Sequence, residues 1–318
     1  MENAIIATGY FSRAELRSSS RNRVSDFPRR KAAWSYAIIS LAGNFPLNNK
    51  RHKPESVNKM KLGVCTSLDN AGVLARLGYD YIETGLSAVA GMPEEEFQNA
   101  RRALEGSGLR CEAVNGMLPG DLPVVGGAAD LARAESYLCA AFSRAELLGA
   151  RVIVFGSGGS RRVPEGFSWA QAWRQLRDYL TLADRLAGEH GLCIAIEPLR
   201  REECNILNRV GEAVELAALL DLPHVGVLGD TYHMHCEGEP LTALADAGEL
   251  LWHVHTACPQ GRLFPKDGDP ADRRGEYGEL FAVLNEAGYA GRVSIEAGCE
   301  RFEEDARASL ALLKERMC

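Results

Sequence analysis

From residue 60 onward, short apolar runs rich in β-branched residues alternate with longer amphipathic stretches. The runs predict eight strands, at 61–66, 79–83, 110–114, 150–155, 192–197, 224–230, 251–255 and 292–296. Helices are predicted between them, at 93–106, 130–148, 169–189, 210–220, 240–248, 276–287 and 301–316. Strands that alternate with helices are typical of parallel α/β structure. Eight such units need roughly 250 residues, so we predict a single (β/α)₈ barrel over 60–318.

The last four predicted strands also separate their side chains by type. Successive side chains of a strand point to opposite faces. In the strand at 192–197, the isoleucines share one face and Glu197 lies on the other. At 251–255 the same alternation predicts that Trp252 lies on the apolar face. In a barrel this pattern indicates that the large apolar row faces the helices, and that the other row faces the barrel axis.

Each of these four strands ends in a side chain that can ligate a metal: Glu197, Asp230, His255 and Glu296. Each could instead cap its strand at the surface, but four consecutive strands in the same phase favour convergence at the carboxyl-terminal rim, where barrel enzymes hold their chemistry. Three carboxylates would repel one another without a cation. An oxygen-rich set with one imidazole suits Mn²⁺, with Mg²⁺ or Co²⁺ as alternatives, better than a thiolate-bound zinc.

Other polar positions near the predicted rim are less specific. His253, one layer deeper than His255, is predicted to be an interior histidine rather than a ligand. Glu83 is expected to touch substrate or to pair with an arginine of the rim. The glycine-rich segment 156–162 is either a flexible loop or a phosphate cradle with an arginine, and it is not a Walker loop. The segment 115–121 is expected to shape the pocket.

Several of these segments together resemble the xylose isomerase-like superfamily. The segments are 196–199 followed by Glu203, Asn205 and Asn208, then 229–234, 253–256 and 294–296. Over about residues 60–316 the chain resembles in particular the sugar phosphate isomerase/epimerase group, which includes the D-tagatose 3-epimerase-like ketose epimerases. The resemblance implies a TIM barrel and a metal-dependent enzyme of carbohydrate metabolism.

The resemblance also implies roles for individual residues. It makes Glu197, Asp230, His255 and Glu296 the metal ligands, with Glu197 and Glu296 doubling as the acid/base pair. It makes His233, Glu203 and Arg262 substrate-binding residues, although Arg262 follows the histidine ligand at a spacing that is longer by a residue. A homodimer is expected by analogy only.

These residues can carry out a proton transfer next to a carbonyl group. Such a transfer requires an enediolate to be stabilised, which a divalent ion can do as a Lewis acid. Two carboxylates can remove the proton from one face and return it to the other. We therefore predict an isomerase acting on a ketose or related keto-sugar, of the ketose 3-epimerase or the aldose–ketose isomerase type. The alternative is a dehydratase of keto-cyclitols such as an inosose.

Charge and composition narrow the choice of partners. The chain has a net charge of −7, but residues 1–59 contain 11 Lys and Arg against 4 Asp and Glu, which is +7, so the remainder carries −14. Such an acidic body argues against nucleic acid as a partner. No apolar run is long enough to span a membrane. The nine cysteines form no CxxC pair, and reduced thiols in the cytoplasm are the natural interpretation.

The first 59 residues show no sustained hydrophobic period and are predicted to be a basic extension of low order. A transit peptide is one alternative, and sequence upstream of a start at Met60 is another. A secretory signal is not indicated.

Overall fold

In the computed structural model, which describes residues 51–54 and 59–317, eight parallel strands close into one barrel in chain order. The predicted TIM barrel is confirmed. The strands are β1 (Lys61–Cys65), β2 (Tyr81–Gly85), β3 (Cys111–Asn115), β4 (Val152–Phe155), β5 (Cys193–Ile196), β6 (Val225–Asp230), β7 (Leu251–Thr256) and β8 (Arg292–Ile295). Pairing of β1 with β8 closes the ring.

The helices are α1 (Ala71–Leu77), α2 (Leu86–Gly91), α3 (Glu94–Ser107), α4 (Leu131–Leu148), α5 (Gly158–Arg161), α6 (Trp169–Glu189), α7 (Val210–Leu220), α8 (Thr231–Cys236), α9 (Ala243–Asp246), α10 (Pro270–Arg273), α11 (Glu276–Glu286) and α12 (Phe302–Met317). Two differences from prediction stand out. The seven-residue helix α1 was not predicted, because it is too short to show a clear period. The helix predicted at 240–248 is reduced to α9, and Gly248, at the end of the predicted range, adopts a φ of +54° and starts a separate 3₁₀ turn. Within the described part of the chain, no helix combines the length and the apolar character needed to cross a bilayer.

Apolar side chains form two separate clusters on the two sides of the strands. The larger cluster fills the space between strands and helices and includes Ile194 and Ile196. The smaller cluster fills the barrel interior and contains Tyr81, Ala113, Val152, Val154, Ala195 and Leu228. Alternation in β5 is therefore confirmed, with the isoleucines outside and Ala195 inside.

One predicted orientation is wrong because of a bulge between β6 and β7. Leu251 pairs with Val227, and His253 already pairs with Leu228, so Trp252 is an additional residue in its strand. The ring of Trp252 occupies the space that a Cβ atom on Gly226 would fill. A bulge turns a side chain to the other face of the sheet. The indole of Trp252 therefore lies on the interior side of β6 rather than facing the helices.

Two residues that precede the predicted domain boundary at residue 60, Arg51 and His52, contact the barrel. Arg51 pairs with Asp221 at 2.9 Å through Nη2 and donates to two backbone carbonyl groups. The ring of His52 stacks on that of His224 at 4.8 Å. The boundary itself stays a prediction, since most of the extension lies outside the described residues.

Candidate metal centre

The four strand ends named above meet at one point of the rim. Ligand atoms of Glu197, Asp230, His255 and Glu296 all lie within 4.8 Å of one another. Glu197, Asp230 and His255 are at most 5% exposed, so the alternative in which each side chain caps its strand at the surface does not hold. The group can hold a metal ion, and the ligand roles of its members stay predictions.

Asp230 is fixed by the short helix that follows it. Its Oδ1 atom accepts a hydrogen bond from the backbone N–H of Tyr232 at 2.7 Å and so caps α8. This leaves Oδ2 facing the other ligand-type side chains. Helix α8 also places His233, whose Nε2 lies 3.6 Å from Asp230 Oδ2 and 3.9 Å from Glu197 Oε1. One capped turn therefore positions two of the predicted site residues.

Glu197 is positioned by the loop after β4. A side chain at Gly156 would overlap Oε2 of Glu197, so only glycine leaves room for the carboxylate. Arg161, which is fully buried, donates to the backbone carbonyl groups of Phe155 and Glu197. The guanidinium is thus directed at the backbone, which disfavours the phosphate-cradle interpretation of segment 156–162. The Oε1 atom of Glu197 is buried without a hydrogen-bond partner among the described residues.

Glu83 contacts Nε2 of His255, whereas Glu197 and Glu296 lie near Nδ1 of the same ring. The Oε1 atom of Glu83 lies 3.0 Å from His255 Nε2, and its Oε2 lies 2.7 Å from His253 Nε2. Glu83 is fully buried, so the expectation that it touches substrate or a rim arginine is wrong. His253 is also fully buried and lies outside the ligand group, as predicted. Its partner is a carboxylate across the barrel, which no local motif in the sequence indicates.

Arg262 reaches into the centre of the group. Its Nη2 lies 2.5 Å from Glu296 Oε2 and 3.3 Å from Asp230 Oδ2. The residue adopts a φ of +51°, which is uncommon for a side chain larger than glycine and is a form of strain that clusters at functional sites. The unusual spacing therefore does not keep Arg262 from the site.

Glu203 lies at the edge of the group, on the loop between β5 and α7. Its Oε1 accepts from Arg200 Nε at 2.8 Å and lies 3.8 Å from Arg262 Nη1. Asn208 ties this loop together through bonds from Nδ2 to the carbonyl groups of Leu199 and Cys204. Asn208 thus has a structural role, because it holds the loop that carries Glu203.

Asn115, at the end of β3, is a site residue that the sequence did not single out. Its Nδ2 donates to Glu296 Oε1 at 2.9 Å. It lies in the segment 115–121 that was expected to shape the pocket. The contact spans 181 positions of the chain, so only the closed barrel reveals it.

The environments of Glu197 and Glu296 shift their pKa values in opposite directions. Burial, followed by the charge of Glu296, raises the pKa of Glu197. Burial also acts to raise the pKa of Glu296, but the charges of His255 and Arg262 outweigh it and lower that pKa well below its usual range. Pairs of carboxyl groups separated in this way are typical of acid/base sites.

Comparison with known families agrees with the fold. The model of the family described as xylose isomerase-like TIM barrel matches residues 72–316. The chain belongs to that family.

Relatives of this xylose isomerase-like protein include sugar epimerases. It is 34% identical over 145 residues to the 3-dehydro-D-guloside 4-epimerase of Escherichia coli, a match covering 44% of this chain and 53% of that protein. It is 26% identical over 231 residues to the D-psicose 3-epimerase of Agrobacterium fabrum, covering 70% and 76% of the two chains. The match thus spans only about half of the E. coli relative.

Similarity of the fold extends further than similarity of the sequence. The apo crystal structure of the 3-keto-D-glucoside 4-epimerase from E. coli superposes with a TM-score of 0.69 over 81% of this chain and 100% of that chain, at 24% identity. At this identity the superposition supports the fold alone.

Proposed function

We propose that this protein is a metal-dependent isomerase that epimerises or isomerises a ketose or related keto-sugar by moving a proton next to a carbonyl group. The convergence of Glu197 and Glu296 with Asp230 and His255 within 4.8 Å carries the proposal. The names of the relatives, which are sugar epimerases, support it.

The residues present fit a divalent cation. Three carboxylates and one imidazole face one another, and the buried Oε1 of Glu197 has no hydrogen-bond partner among the described residues. Glu197, Asp230, His255 and Glu296 would hold the ion, for which Mn²⁺ is the first choice. Bound there, it would act as a Lewis acid on substrate oxygen atoms.

The two glutamates would carry the proton. Glu197 follows β5 and Glu296 follows β8, so their carboxyl groups approach the centre from different strands. One would remove a proton from a carbon atom beside the carbonyl group, and the other would return a proton to the opposite face. This exchange inverts the carbon atom. If a single carboxylate served the same face twice, the result would be aldose–ketose isomerisation.

Three further residues would bind the sugar. His233 and Arg262 lie within 4 Å of the carboxylates of the group and can donate to substrate hydroxyl or carbonyl oxygen atoms. Glu203 lies beside Arg262 and can accept from a hydroxyl group.

The test is solvent exchange on a panel of substrates. With added Mn²⁺ in D₂O, free ketoses, 3-keto-glycosides, hydroxypyruvate and inosose are incubated with the protein, and products are analysed by NMR and mass spectrometry. We expect deuterium at the epimerised carbon atom. Glu296→Gln should abolish this incorporation and keep the fold, whereas the exposed control Glu286→Gln should retain it.

Two outcomes would contradict the proposal. Unchanged exchange in Glu296→Gln would remove this residue from the mechanism. Release of water from inosose without epimerisation of any ketose would favour the dehydratase instead.

A further inference from the structure

A chain of hydrogen bonds crosses the barrel interior beneath the candidate metal centre. The carboxylate of Glu83 receives His255 Nε2 on Oε1 at 3.0 Å, and on Oε2 it receives His253 Nε2 at 2.7 Å and Ser294 Oγ at 2.6 Å. Ser294 Oγ in turn lies 2.6 Å from the hydroxyl group of Tyr81. All five side chains are buried at 0% exposure. The network therefore sits in a region that water does not reach.

We propose that Glu83 is the positioning residue of the metal centre. It holds the ring of His255 so that Nδ1 faces the carboxylates of Glu197 and Glu296. The inference rests on the metal site of the proposed function. A carboxylate accepts hydrogen bonds and does not donate them, so the proton of His255 is kept on Nε2. Nδ1, which lies 3.2 Å from Glu296 Oε2 and 3.5 Å from Glu197 Oε1, is then the nitrogen left for a cation.

The two oxygen atoms of Glu83 have different hydrogen-bond partners, and this difference supports the positioning role. Among the residues that the structure describes, Oε1 has a hydrogen bond with His255 only, while Oε2 is anchored by His253 and Ser294. The carboxylate is thus fixed at one end and presented to His255 at the other. Partners of metal-ligating histidines that orient the ring in this way commonly change metal affinity about 10- to 100-fold when they are replaced.

The chain contains a matched control in Glu112. It is also a buried carboxylate on a neighbouring strand, but it pairs with Lys61 at 2.6 Å and with Arg292 at 2.7 Å. None of these three residues belongs to the ligand group. Glu112→Gln therefore removes a buried charge from the same barrel without touching His255.

The experiment measures Mn²⁺ affinity of the full chain by calorimetry and by electron paramagnetic resonance of free Mn²⁺. We expect Glu83→Gln to weaken binding about 10- to 100-fold and Glu112→Gln to bind as the wild type does. In Mg²⁺-loaded protein, ¹⁵N NMR of the histidine side chains should show a protonated Nε2 on His255, assigned with His255→Gln, and Glu83→Gln should lose this single tautomer. Equal affinities of Glu83→Gln and Glu112→Gln would overturn the inference.

Two further variants keep the inference testable. If Glu83→Gln does not fold, Ser294→Ala decides, because it loosens the anchor of Oε2; we expect about a fivefold loss of affinity, and wild-type affinity would overturn the inference. Cys65, with Sγ 3.9 Å from His255 Nε2, forms a second group with Glu83 and His255. Wild-type affinity of Cys65→Ser for Mn²⁺ supports the positioning role of Glu83. A loss of affinity would indicate that the ion binds this second group, in which Glu83 would be a ligand itself, and would overturn the inference. Failure of the wild type to bind Mn²⁺ would instead defeat the proposed function.

Discussion

Glu296 and Glu197 differ in the donors that face them. The carboxylate of Glu296 accepts from Asn115 Nδ2 at 2.9 Å and from Arg262 Nη2 at 2.5 Å. Glu197 Oε1 has no hydrogen-bond partner among the described residues. Donors stabilise the ionised form of a carboxyl group, and burial without them stabilises the neutral form. In the proposed mechanism, this difference favours Glu296 as the residue that removes a proton and Glu197 as the one that returns it.

Replacing Asn115 tests whether its bond to Glu296 matters for catalysis. We expect Asn115→Ala to lower kcat about tenfold, because a hydrogen bond to a charged group contributes about 1.5 kcal/mol. The variant should fold as the wild type does, since the amide lies at the end of β3. The measurement is kcat and KM on whichever sugar the wild type converts, with the exposed Asn285→Ala as control. A kcat equal to that of the control would show that the contact is incidental.

Strand ends were predictable from the sequence because alternation in a strand is a local property. Alternation of side chains in four strands predicted the ligand-type residues at their ends, and the structure brings these together: Glu197, Asp230, His255 and Glu296. The same alternation predicted the wrong face for Trp252, because a bulge adds a residue to β7. No local pattern encodes which neighbouring strand will lose register.

Contacts across the barrel account for the rest of what the sequence missed. Glu83 and Asn115 act on site residues that lie more than 170 positions away. The sequence pointed to Glu83 with a different role and to Asn115 only as part of the segment 115–121, so their partners become visible only when the barrel closes. The helix predicted at 240–248 is shorter at both ends, and a separate 3₁₀ turn begins at Gly248, the last residue of the predicted range.

The start of α12 provides a prediction about pH. Asp305 accepts from the backbone N–H groups of Glu300 and Arg301 and pairs with Lys266 at 2.7 Å. Burial acts to raise the pKa of Asp305, but these contacts lower it overall. An aspartate in the unfolded chain has a pKa of about 3.9. The carboxylate therefore contributes stability above about pH 4, and this contribution is lost as the pH falls through the lower pKa of the folded state.

We therefore expect Asp305→Asn to reduce the free energy of unfolding by about 1 kcal/mol at pH 7 and by less at pH 3. Urea unfolding at the two pH values measures the difference. Asp246→Asn, an exposed change in α9, serves as the control. A loss of stability that is the same at both pH values would show that the charge of Asp305 is not its source.

At the scale of the molecule, Arg51 and His52 bond to the barrel although they precede the first strand. Arg51 bonds to Asp221 and to the carbonyl groups of Ala217 and Val225, and His52 N bonds to Pro223 O at 2.7 Å. A chain beginning at Met60 should lose about 1–2 kcal/mol of stability. A chain beginning at Lys50 retains these contacts and is the control. Equal urea midpoints of the two chains would contradict this expectation.

Binding of a cation should stabilise the whole barrel, because the proposed ligands lie at the ends of four different strands and come together only in the folded state. A ligand present at 100 times its Kd adds about 2.7 kcal/mol, which for a domain of this size raises Tm by about 5–10 °C. We expect this rise with Mn²⁺ and its reversal with EDTA.

Asp230→Asn is the decisive variant, because the amide oxygen can still cap α8 while the charge facing the site is removed. It should remain folded and lose most of the Mn²⁺-dependent rise in Tm, as followed by differential scanning calorimetry. If Asp230→Asn gained as much from Mn²⁺ as the wild type, the ion would be binding elsewhere, and the four strand ends would not form its site.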